Sequence, residues 1–155
     1  MSSLAKAVAA FLVLPGVVAG VVPLLILGGC PAWDRAHPAG LGLLAAGVVL
    51  LLWCVVEFYA SGKGTLAPWS PPARLVVVGP YRHARNPMYL AVLLVTAGWA
   101  IAFRSPPLGA YSLLLAPAFH LRVVLAEEPR LARAFGGEWE RYRAQVPRWL
   151  PRLRR

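Results

Sequence analysis

Three arginines, a histidine, an asparagine and two tyrosines crowd into the stretch from Arg74 to Tyr89, spelled Arg-Leu-Val-Val-Val-Gly-Pro-Tyr-Arg-His-Ala-Arg-Asn-Pro-Met-Tyr, directly before an apolar run that begins at Tyr89. Far downstream, two adjacent carboxylates, Glu127 and Glu128, close another apolar run. A helix C-terminus offers a carboxylate no favourable charge, so each needs a cation. Arg122, Arg130 and Arg85 are the candidates within the chain, and a cationic ligand is the candidate outside it. Gly79-Pro80 dictates a turn and Asn86-Pro87 restarts a helix, which lets Tyr81 and Tyr89 flank a cavity at that helix's N-terminal end. A set of this kind suits a ligand that carries both charges and a flat ring: carboxylates for cations and hydroxyls, basic and backbone groups for anions, aromatic faces for rings. The plainer reading is an anchor, with Arg82, His83 and Arg85 obeying the positive-inside rule.

The elements that must hold these groups are membrane helices. The chain has 155 residues, 59% of them hydrophobic and 14% charged, with mean hydropathy +0.61; charged residues make up about a quarter of a soluble average. One integral membrane domain is the expectation. A formal net charge of +10 would suggest nucleic acid in a soluble chain, but here the basic residues adjoin apolar segments, so anionic lipid headgroups are the expected partner. Cys30 and Cys54 define no disulfide framework. His37, His83 and His120 show no ligand spacing, which argues against a metal.

Four apolar stretches have the length or flanks of spans: about 8–27, 41–59, 87–103 and 108–125. Pro15 and Pro23 should bend the first, and Gly16 and Gly20 give it a small-residue face; a cleaved signal peptide is the competing reading. Glu57 near the end of the second is expensive unless it meets water, a partner or a ligand. Ser61 to Pro72 is a Gly/Pro-rich connector; its Gly62-Lys63-Gly64-Thr65 lacks the strand and glycine spacing of a phosphate loop. After the fourth span, Leu131, Phe135, Trp139, Tyr142 and Val146 recur at helical spacing among Arg and Glu. This predicts an amphipathic helix over about 129–146 at the cytoplasmic interface, with Arg148, Arg152, Arg154 and Arg155 on headgroups. The expected architecture is therefore all-α, four transmembrane helices plus that interfacial helix.

Gly79-Pro80-Tyr81-Arg82-His83-Ala84-Arg85-Asn86-Pro87-Met88-Tyr89, followed by Glu127-Glu128, Phe135-Gly136, Tyr142, Val146, Pro147 and Arg148, resembles the isoprenylcysteine carboxyl methyltransferase family, to which the phospholipid N-methyltransferases are similar. The resemblance covers about the second half of the chain. It implies an S-adenosylmethionine donor held by Leu75, Val76, Tyr81, Asn86, Pro87, Tyr89 and Glu127, with Arg85, Arg122 and Glu128 among the groups at the reaction and Arg122 toward an acceptor carboxylate. It implies a lipid-like acceptor, with methylation of an isoprenylcysteine carboxylate as the reaction and phosphatidylethanolamine N-methylation as the alternative. Two positions depart from the pattern: Asn86 stands where those enzymes have His, and Ala91 where Gly often follows the Tyr. Two other classes remain, a non-catalytic membrane scaffold with a basic tail and a nicotinamide-dependent membrane reductase of the sterol type.

Lys63, Arg74, Arg82 and Arg85 fall in the second connection and nine arginines follow the middle of the fourth span, whereas the other two connections hold only Arg35 and Arg104. That asymmetry puts both termini and the polar stretch on the cytoplasmic side. Cysteines engineered beside Arg35 and beside Lys63 should label from opposite sides of sealed vesicles; labelling of both from outside contradicts the topology.

Overall fold

The computed structural model describes residues 12–62 and 74–150. The start of the predicted first span, most of the connector with Lys63-Gly64-Thr65, and Arg152, Arg154 and Arg155 lie outside them. Every regular element among the described residues is helical. Helix α1 is a π-wound stretch, Leu12–Val21, that runs on as Val22–Ile26; α2 is Pro38–Gly62, α3 is Pro87–Ala102 and α4 is Pro106–Arg122. A π-wound turn, Val123–Glu127, carries α4 into α5, Glu128–Phe135, and α6 is Gly137–Gln145.

Two helices are long and apolar enough to cross a membrane, α2 and the continuous Pro106–Phe135. The other two expected spans are shorter apolar helices. At 16 residues, α3 rises roughly 24 Å at about 1.5 Å per residue, less than a hydrocarbon core of about 30 Å. The fourth stretch differs from expectation in the opposite direction. It does not stop near 125 but continues through the π turn to Phe135, and Gly136, at φ 48°, ends it. The amphipathic segment predicted as one helix is thus two, α5 continuing the span and α6 folded back. Its apolar face survives the break: Trp139, Tyr142 and Val146 form one buried cluster with Leu131 and Phe135 against Leu75.

The prolines of α1 have a structural consequence. Pro23 has no N–H to give, which leaves the carbonyl four residues before it, that of Ala19, without an α-helical partner. Trp99 Nε1 donates to Ala19 O at 3.0 Å, and Tyr111 Oη donates to the neighbouring Val18 O at 2.9 Å. Sequence analysis expects Pro15 and Pro23 to bend the helix; Pro15 lies within the π-wound stretch, and the two accepting carbonyls stitch α1 to α3 and α4.

Helices α2 and α3 meet where side chains are smallest. A Cβ on Gly40 would stand 2.5 Å from Ala102 Cα, one on Gly47 2.7 Å from Val95 N, and one on Gly98 2.5 Å from Leu44 N. Close backbone approach of this kind replaces the hydrophobic drive that lipid does not supply. Thr96, fully buried, bonds Ser112 at 2.9 Å and links α3 to α4. Gly42, by contrast, faces open space. Gly40→Ala should therefore cost about 1–3 kcal/mol of stability by overpacking, and Gly42→Ala less than about 0.5 kcal/mol, measured as unfolding midpoints in detergent; equal effects would refute the contact.

Candidate active site

The site is assembled from the turn before α3, the junction of α4 and α5, and the chain after α6. The turn is set by Gly79, at φ 55°, where a Cβ would meet Glu57 Cγ at 2.7 Å. Glu57 is itself held by Trp53 Nε1 at 3.1 Å. Its role is to back the turn, and only glycine fits over it. Pro80 and Tyr81 are then buried, and Tyr142 Oη donates to Tyr81 O at 2.7 Å. Burial pushes the phenols of both Tyr81 and Tyr142 above their ordinary pKa, so both stay protonated donors.

Asn86 precedes Pro87 at the start of α3 but caps nothing with its side chain. Its Nδ2 donates to Arg148 O at 3.1 Å, and beside it Arg85 N donates to Pro147 O at 2.9 Å. The chain after α6 thus lies as a strap along residues 85 and 86. Arg148 anchors the strap: its Nε and Nη2 bond the two oxygens of Glu128 at 2.7 and 2.9 Å. These bonds hold the Arg148 guanidinium above its usual pKa. Sequence analysis places Arg148 on lipid headgroups; here its guanidinium, 34% exposed, grips Glu128 in a bidentate pair.

A second cation reaches the same carboxylate. Arg85 Nη1 lies 3.0 Å from Glu128 Oε1, with side chains only 9% and 13% exposed, and the guanidinium carbon sits 5.4 Å from the centre of the Trp139 ring. Arg85 Nε and Nη1 nonetheless have no hydrogen-bond partner among the described residues, the approach to Glu128 being off the N–H axis. Burial weighs against the Arg85 charge, and Glu128 opposes the effect.

Glu127 faces the other way. Tyr89 Oη donates to its Oε1, and Arg122 Nε lies 2.9 Å from that hydroxyl and 3.0 Å from the same carboxylate oxygen. The Tyr89 ring packs on Phe119 at 4.6 Å and toward Trp149 at 6.5 Å, and Trp149 Nε1 bonds His120 Nδ1 at 3.2 Å.

Two cavities result. The first, about 90 Å³, is lined by Leu75, Val76, Tyr81, Asn86, Glu127 and Glu128, with Arg85 and the aromatic faces of Phe58, Trp139 and Tyr142. The second, about 330 Å³, lies between α1, α3 and α4 and is walled by Pro15, Val18, Met88, Val92 and Phe119, with Tyr89 and Arg122 at its polar end. Glu127 and Phe58 line both. Eight of the ten sequence-predicted site residues other than Tyr89 and Pro87 divide as seven on the first cavity and Arg122 on the second. Tyr89 joins Arg122, and Pro87 is buried at the first turn of α3 without lining either. Sequence reasoning missed Phe58 and Phe119, single aromatics inside apolar runs that carry no distinguishing pattern. No cluster of three metal-ligating side chains occurs among the described residues.

A family model described as phospholipid methyltransferase matches residues 36–138. No curated protein and no solved structure matches the chain. The matched region contains Arg85, Tyr89, Arg122, Glu127 and Glu128, whereas Tyr142 and Arg148 lie beyond it.

The strap's dependence on one ion pair is directly testable. Arg148→Gln should raise hydrogen exchange in the stretch from Val146 to Leu150 at least about tenfold, as a charge-assisted bond worth about 1.5–3 kcal/mol is lost. Exchange unchanged from wild type would show that the strap is held by other contacts.

Proposed function

This chain belongs to the phospholipid methyltransferase family, and from that premise we propose that it is a membrane methyltransferase that O-methylates an isoprenylcysteine-type carboxylate. Enzymes of this family take the methyl group from S-adenosylmethionine. The observation that carries the proposal is the junction of the two cavities at Glu127: a small one, polar in that Arg85, Asn86, Glu127 and Glu128 stand among its aromatic walls, meets a larger one between the helices, apolar but for Tyr89, Arg122 and Glu127.

The residues of the polar cavity fit the donor. Tyr81, Phe58, Trp139 and Tyr142 offer aromatic faces, Glu127 offers a carboxylate, and Arg85 offers guanidinium nitrogens with no hydrogen-bond partner. S-adenosylmethionine, when bound, supplies a methyl group on a positively charged sulfur that is open to in-line displacement. The protein's contribution is to hold both reactants in register and exclude water. A cavity of about 90 Å³ is smaller than the roughly 300 Å³ that begins the range of ligand pockets, so binding displaces part of the wall. Helix α6 contributes Trp139 and Tyr142 to that wall, and one bond, Tyr142 Oη to Tyr81 O, ties it to the turn.

A carboxylate acceptor is already ionised at neutral pH and needs no base. Arg122 at the polar end of the apolar cavity supports such an acceptor, with its hydrophobic chain between α1, α3 and α4. Glu128, expected among the reacting groups, has both oxygens engaged by Arg148 and serves to hold the strap. A second reading, phosphatidylethanolamine N-methylation, is favoured by the phospholipid in the family description. An amine must lose a proton, and Glu127 beside the apolar cavity is the group to accept it. Cytoplasmic placement of the site and both termini follows from the distribution of basic residues.

The experiment is methyl incorporation from labelled S-adenosylmethionine into a farnesylated or geranylgeranylated cysteine analogue and into phosphatidylethanolamine. The first should be labelled; labelling of phosphatidylethanolamine alone moves the chain to the second reading, and binding of a nicotinamide or of no donor refutes the methyltransferase. Glu127→Gln should weaken donor binding about tenfold or more by losing a charge-assisted contact, and Tyr89→Ala, which removes the hydroxyl that orients Glu127, should weaken it less, with membrane insertion unchanged. Unaltered affinity in both variants would retire these assignments.

A further inference from the structure

The strap ends on α4. Pro147 and Arg148 are pinned to the start of α3, where Arg85 N donates to Pro147 O at 2.9 Å and Asn86 Nδ2 to Arg148 O at 3.1 Å. The next residue, Trp149, crosses to α4, and its Nε1 donates to His120 Nδ1 at 3.2 Å. An indole nitrogen can only donate, so Nδ1 is the unprotonated nitrogen of that imidazole. The two rings lie 6.1 Å apart, 33° from parallel. Neither His120 nor Trp149 lines either cavity, so this clasp stands behind the walls rather than in them.

The clasp brackets Tyr89. Consecutive residues of α4 act with the strap on that ring: Phe119 packs on it at 4.6 Å, and His120 holds Trp149 edge-on to it at 6.5 Å. Tyr89 belongs to the first turn of α3, where backbone N–H groups lack helical partners and the Asn86 side chain supplies no cap. Its placement therefore falls to packing. Its hydroxyl in turn orients two further groups, donating to Glu127 Oε1 and accepting from Arg122 Nε at 2.9 Å. We propose that Trp149 is a positioning residue for methyl transfer: clasped by His120, it holds the Tyr89 ring against Phe119 and so keeps Glu127 and Arg122 in place where the two cavities meet. The role rests on the methyltransferase reading above. Its effect falls on the register of the reactants more than on their binding, since a displacement of about 1 Å at a distance from the chemistry can slow a reaction on the order of a hundredfold.

The test measures methyl incorporation by the full chain in detergent, into whichever of the prenylcysteine analogue and phosphatidylethanolamine the wild type labels, with donor affinity by calorimetry. Trp149→Ala should lower kcat about tenfold, the scale of one aromatic contact and one hydrogen bond lost together, while donor affinity stays within about threefold of wild type. His120→Leu, which removes the acceptor, should lower kcat several-fold. His120→Asn keeps an acceptor one atom beyond Cγ, as Nδ1 is, and should return kcat to within about twofold of wild type. In a Tyr89→Phe background Trp149→Ala should cost less than about threefold further, because the hydroxyl through which it acts is gone. An unchanged kcat in Trp149→Ala overturns the proposal, as do equal losses in His120→Leu and His120→Asn or full additivity with Tyr89→Phe. Donor affinity that falls as far as kcat makes Trp149 a part of the donor pocket and overturns it too. A wild type that labels neither acceptor refutes the methyltransferase reading itself and takes the positioning role with it.

Discussion

One carboxylate holding two arginines is the interaction on which the site depends. Glu128 lies where α4 has become α5, Arg85 just before α3, and Arg148 beyond α6. Removing Glu128 would leave Arg85, 9% exposed, without its counter-charge and beside a second cation, a larger penalty than losing a surface ion pair. The same carboxylate therefore fixes where the strap lies, where the turn before α3 lies, and which nitrogens of Arg85 face the cavity. The π turn of Val123–Glu127 immediately before it matters for the same reason. A wider turn rotates the residues that follow relative to an α-helical continuation, and the adjacent Glu127 and Glu128 end up serving different partners, Tyr89 with Arg122 and Arg85 with Arg148.

That division of labour puts Glu127 in the wall of both cavities. Tyr89 and Arg122 are on helices that contribute to the larger cavity, and their bonds to Glu127 hold the carboxylate between the two spaces. Around it, the helices are held by the close glycine contacts of α2 with α3 and by the α1 carbonyls of Ala19 and Val18, which accept from Trp99 and Tyr111. Helices without a hydrophobic drive to associate in lipid need such contacts.

Much of this was legible in the sequence, and the boundary of what was legible is physical. The grouping of Leu75, Val76, Tyr81, Asn86 and Glu127 was implied by the resemblance that the ordered motifs carry, while Gly79-Pro80 and Asn86-Pro87 marked a turn and a helix start because few conformations are open to them. The helical class and the apolar face shared by Leu131, Phe135, Trp139, Tyr142 and Val146 followed from hydropathy and periodicity. Periodicity could not reveal that Gly136 divides that face between two helices, since φ 48° at a glycine leaves the spacing of apolar residues unchanged. Nor could it find the partner of Arg148. In sequence Arg148 is the first of a basic tail; in the fold it lies against Glu128, 20 residues away, and its carbonyl against Asn86, 62 residues away. Contacts of that separation leave no local pattern, and the same holds for Phe58 and Phe119.

The central claim of the proposed reading is that the turn before α3 and helix α6 are two walls of one pocket that takes the methyl donor. Hydrogen exchange of the full chain with and without S-adenosylmethionine tests it most directly. The account predicts that the donor slows exchange in the peptides covering Leu75–Tyr81 and Gly137–Gln145 together, with little change at the far ends of α2 and α3. Saturating donor that protects neither stretch, or only one of them, would contradict it.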